Sequence, residues 1–61
     1  REGYALNSLG NCYKSLGQYQ QAIDYYQHSL EIFREIGDRT TEGYILSNLS
    51  NCYNLLGISS T

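Results

Sequence analysis

The chain is 61 residues long, 41% of them apolar or aromatic, with four basic and six acidic side chains and a net charge of −2. One small domain is the upper limit, the apolar content is too high for a disordered tail, and apolar runs of only two or three residues exclude a membrane span. Without a basic run there is little attraction for phosphate backbones or anionic lipid, so neither nucleic acid nor a membrane is an expected partner.

Arg1-Glu2-Gly3 has neither the basic start nor the apolar stretch of a secretory signal, and no arginine-rich leader follows. A cytoplasmic chain or an excised segment is expected. Cys12 and Cys52 are too few for a multi-bridge framework and are expected to be reduced, small core residues.

The first predicted helix runs from Glu2 to Leu16, with Leu6, Leu9, Tyr13 and Leu16 on one stripe and Tyr4, Asn7, Ser8, Asn11, Lys14 and Ser15 on another. Gly17 can close it in the left-handed conformation, and Gln18-Tyr19 allows only a tight connection. The second helix is predicted from Tyr19 to Ile36. Tyr19, Ala22, Ile23, Tyr26, Leu30 and Phe33 form its first apolar side, and Tyr25, Ile32 and Ile36 widen it to a second, which implies two neighbouring helices. Its polar face, from Gln20, Gln21 and Asp24 to Arg34 and Glu35, is expected to be solvated. Gly37 ends the helix, Asp38 caps the next, and a third helix is predicted from Arg39 to Leu56, with Leu46, Leu49, Tyr53 and Leu56 repeating the first stripe. The fold class is all-α. Turns this short force antiparallel neighbours, with Gly10 and Ala22 the candidates for closest approach.

A shift of 40 lays the chain on itself. Glu2, Gly3, Tyr4, Leu6, Leu9, Asn11, Cys12, Tyr13, Leu16 and Gly17 then meet identical residues at Glu42, Gly43, Tyr44, Leu46, Leu49, Asn51, Cys52, Tyr53, Leu56 and Gly57. Ten identities in seventeen positions, against about one by chance, mean duplication. Residues 1–38 form one full unit, 39–57 the first helix of the next and 58–61 a tail, Ile58-Ser59-Ser60-Thr61, where the pattern fails.

The run Leu9-Gly10-Asn11-Cys12-Tyr13, then Leu16-Gly17-Gln18-Tyr19, Ala22-Ile23, Tyr25-Tyr26 and Leu30 resembles the tetratricopeptide repeat. Leu6, Leu9, Gly10, Tyr13, Ala22 and Tyr26 stand at six positions of that family's pattern. Ser29 replaces its second alanine and Arg34 its proline, and the period of 40 exceeds the usual value of about 34. In this it is similar to the longer-repeat subgroup seen in kinesin light chains and bacterial signalling proteins.

The resemblance implies a helical solenoid that binds a peptide or protein in a groove lined by the first helix of each hairpin. Tyr4, Asn7, Asn11 and Lys14, with Tyr44, Ser47, Asn48, Asn51 and Asn54, would line it. Asn11 and Asn51 lead the set because an amide offers donor and acceptor together. The alternative is a solvated face, or asparagines that satisfy neighbouring helices. Gripping a terminal carboxylate takes paired basic residues, but Lys14 has Asn54 as its counterpart. His28 stands alone on a polar face, no metal-ligand cluster, phosphate loop or nucleophile–base pair is present, and so no metal, cofactor or enzymatic activity is expected. Leu46, Leu49, Tyr53 and Leu56, lacking a partner helix, are expected to drive self-association into a symmetric, stacked or helix-exchanged homo-oligomer.

Overall fold

The computed structural model describes residues 1–57, and the tail expected at 58–61 lies outside them. Three helices follow one another: α1 (Glu2–Ser15), α2 (Tyr19–Ile36) and α3 (Arg39–Leu56). No strand occurs among the described residues. The helices end where the sequence predicts. Gly17 and Gly37 take φ of +80° and +78°, and the residue after each donates back into the helix, Gln18 N–H to the Tyr13 carbonyl at 2.9 Å and Asp38 N–H to that of Phe33 at 3.0 Å. Asp38 then caps α3, accepting from the Thr41 N–H at 3.2 Å and from its hydroxyl at 2.7 Å.

α2 is the central element, packed against both α1 and α3. It supplies Ala22, Ile23, Tyr26, Leu30 and Phe33 to the core, and α3 supplies Ile45, Leu49 and Cys52. The residues expected on α2's solvated face are exposed, whereas Ile36, expected on its second apolar side, is also largely open to water. Arg34 and Glu42 tie α2 to α3 with an ion pair at 3.0 Å.

The inward face of α1 is a correction to the expected stripe. Its only buried residues are Gly3 and Gly10, while Leu9 and Leu16 are 41% and 69% exposed. Two glycines seven residues apart let the rings of α2 lie directly on the α1 backbone. A Cβ on Gly10 would sit 2.7 Å from the Tyr26 ring, and one on Gly3 would sit 2.8 Å from that of Phe33. Docking by backbone turns Leu9, Cys12 and Leu16 away from α2. Cys12 is therefore exposed, not a core residue, while Cys52 at the same register of α3 is fully buried.

Ser29 also has a physical reason. In the place of the family's second alanine it is fully buried, and its hydroxyl donates to the Gly3 carbonyl at 2.7 Å, fixing where α1 crosses α2.

Candidate functional site

The polar residues predicted on α1 and α3 fall into three environments. Tyr4, Tyr44, Ser47, Asn51 and Asn54 are exposed, Asn7, Asn11 and Lys14 are half-buried, and Asn48 is buried, at 9% exposure. Tyr4 is held edge-on to Phe33 with ring centroids 4.9 Å apart, so this aromatic at the rim has a fixed pose.

Asn11 and Asn51 are equivalent by register but not by environment. Asn11 Oδ1 accepts from the Tyr26 hydroxyl, which fastens the middle of α1 to α2. Asn51 is on α3, exposed, with no such tyrosine facing it. Tyr26 itself is fully buried, and desolvation, reinforced by nearby Cys52 and Tyr44, pushes its phenol up from 10.0 to about 12. It therefore remains a donor to Asn11 throughout the neutral range.

Tyr44 and Cys52 of α3 both act on Tyr26, and Lys14 of α1 acts on the Cys52 thiol, lowering its pKa slightly against the larger upward effect of burial. Lys14 is the sole cation among the predicted face residues.

Two asparagines carry buried atoms without a partner among the described residues: Asn7 Oδ1 on α1, an acceptor, and Asn48 Nδ2 on α3, a donor. A buried polar atom left unpaired costs about 1–3 kcal/mol, so two of opposite polarity, one on α1 and one on α3, call for an explanation. Asparagine was legible in the sequence as a groove residue, but the burial of Asn48 was not, because its register counterpart in α1 is Ser8, which is exposed.

Of the four residues expected to self-associate, Leu49 is in the core against α2 and is not available. Leu46 and Leu56 remain open at 43% and 37% exposure, and Tyr53 is half-buried, its hydroxyl accepting from Gln27 Nε2 at 3.3 Å. Ile45, fully buried, was missed because the stripe was drawn through its neighbour Leu46. A shallow hollow lined by Asn11, Cys12, Ser15 and Leu16 lies at the end of α1. Among the described residues no three His, Cys, Asp or Glu side chains gather as metal ligands, and no helix is long and apolar enough to cross a membrane.

Residues 2–57 match the family model described as the tetratricopeptide repeat. No curated protein and no solved structure matches the chain.

Proposed function

The chain belongs to the tetratricopeptide repeat family, whose members are generally protein–protein interaction modules and typically non-enzymatic scaffolds, and from that premise we propose that it binds an extended peptide segment of a partner protein along the seam between α1 and α3. The observation that carries this reading is the unpaired acceptor of Asn7 and the unpaired donor of Asn48. Both atoms are closed to solvent where they stand, so on this reading the two side chains turn outward to meet the donor and acceptor that peptide bonds offer, which removes the penalty of leaving them orphaned.

The rim supports the same mode. Tyr4 and Tyr44 are exposed aromatics at matching registers, able to cover a bound chain on either side, and Asn51 and Asn54 add free amides toward the end of α3. Hydrogen bonds to main-chain groups give affinity without demanding a particular side chain. Lys14, the single cation of the face, biases the choice toward neutral or acidic segments.

Asn11 changes role under this reading: its carbonyl oxygen is committed to Tyr26, and only its Nδ2 is left for a ligand. Peptides selected from a displayed random library against the whole chain provide the test. Fluorescence titration of a selected peptide should show several-fold weaker binding by Asn48→Ala and Asn51→Ala, with far-UV circular dichroism unchanged. Equal affinity for both variants and the parent chain would remove the asparagines from the site.

A further inference from the structure

Asn11 and Asn51 stand at one register of the repeat, but only Asn11 has its amide held from inside the core. An asparagine amide carries an acceptor on one branch and a donor on the other, and a half-turn about its last bond exchanges them. On α1 that exchange is opposed. The Tyr26 hydroxyl, on a fully buried residue, donates to Asn11 Oδ1 and makes no other hydrogen bond among the described residues. Turning the amide round would aim Nδ2 at the hydroxyl and leave its hydrogen buried without an acceptor, which biases Asn11 toward the orientation it has by about tenfold or more. Burial pushes the phenol up to about 12, so at neutral pH the hydroxyl keeps the hydrogen that enforces this bias. Asn51 is exposed, with no buried hydroxyl to hold it, and its amide is free to turn.

We propose that Tyr26 is a positioning residue for the binding face: through Asn11 it fixes a donor there, so a bound segment must place an acceptor oxygen opposite Asn11, whereas Asn51 takes either polarity. This rests on peptide binding at the α1–α3 seam. Lys14 lies one turn further along α1, and its ammonium likewise donates and cannot accept. Two neighbouring donors therefore follow the acceptor that Asn7 Oδ1 supplies one turn earlier. A carbonyl or carboxylate oxygen of the ligand satisfies Asn11, and an N–H turned toward it meets another N–H. A core tyrosine that never touches the ligand thereby sets what the ligand must offer.

The test uses the whole chain and a peptide selected against it, in fluorescence titrations with circular dichroism of each variant. Tyr26→Phe keeps the ring and removes the hydroxyl, so the amide spreads over both orientations, the competent fraction falls to about a half, and binding should weaken about two- to threefold. In an Asn11→Ala background the same change should cost nothing, because Tyr26 acts only through Asn11. Asn11→Asp separates polarity from packing. Its carboxylate still accepts from Tyr26 but has no hydrogen to give, so the variant should keep its helicity and bind about tenfold more weakly, also in about 0.5 M salt, where the added charge is screened.

Alanine in place of each acidic residue of the peptide identifies the oxygen: a replacement that abolishes the coupling to Asn11 makes it a side-chain carboxylate, and coupling that survives them all makes it a main-chain carbonyl. An Asn11→Asp chain that binds as tightly as the parent would overturn the proposal. So would a Tyr26→Phe loss of equal size with and without Asn11, the mark of a merely structural tyrosine. If Asn48→Ala and Asn51→Ala weaken binding in the same titrations, such a result removes only the fixed polarity of Asn11. If they too leave affinity unchanged, binding at the seam falls with it.

Discussion

Replacing Gly10 by alanine tests whether α1 is held to α2 through its backbone. Alanine is favoured over glycine inside a helix by about 1 kcal/mol, so propensity alone predicts stabilisation. The new methyl, however, would stand 2.7 Å from two atoms of the Tyr26 ring, and that ring is fully buried. Overpacking of this kind costs about 1–3 kcal/mol, and a displaced ring also loses the hydroxyl bond to Asn11, about 0.5–1.5 kcal/mol more. Packing wins, and a net loss of about 1–2 kcal/mol is expected. Gly43→Ala is the matched control, with the same propensity gain and open space around it, and should stabilise by up to about 1 kcal/mol. In a domain this small the two should separate by roughly 4–8 °C per kcal/mol in thermal melts followed by circular dichroism. A Gly10→Ala chain as stable as Gly43→Ala would refute backbone docking.

Three further changes probe the contacts around the seam. Ser29→Ala, which removes the donor to the Gly3 carbonyl, should cost about 0.5–1.5 kcal/mol in urea denaturation, and no change would mean the bond does not fix the crossing. Tyr26 has a folded pKa raised from 10.0 to about 12, so its contribution is complete below pH 10 and is lost as pH rises through 12. Tyr26→Phe should therefore flatten the alkaline part of a stability–pH profile, and an identical profile would contradict it. Asp38 has its pKa lowered, chiefly by the Thr41 hydroxyl and then by its N–H, so its cap contributes above the ordinary value of 3.8 and is lost as pH falls through the depressed one. Asp38→Ala should lower helicity at neutral pH and make little difference in strong acid, which circular dichroism across the acid range would show.

Helix order, helix ends and the two-sided character of α2 were legible because each rests on local chemistry: left-handed glycines at 17 and 37, an aspartate cap at 38, and apolar spacing along Tyr19–Ile36. The facing of α1 was not. A hydrophobic stripe predicts which side is buried when side chains make the contact, but here the contact is Gly3 and Gly10 against the rings of α2, and glycine adds nothing to a stripe. Their spacing, set opposite Phe33, Ser29 and Tyr26, was the available signal. For the same reason Cys12 and Cys52, identical by register, differ in burial: α3 packs through side chains on the side where α1 is bare. The binding face was legible as residue types. What the sequence could not distinguish was an asparagine already committed, Asn11 to Tyr26, from one with a buried atom unpaired, Asn48.

Peptide binding at the seam is tested most directly by nuclear magnetic resonance of the whole chain during titration with a selected peptide, following the side-chain amides of the asparagines. Asn7 and Asn48 should shift together and saturate at one equivalent, while Gln20, Gln21 and the backbone around His28 on the outer face of α2 stay unmoved. Saturable shifts on that outer face, with Asn7 and Asn48 silent, would contradict the account.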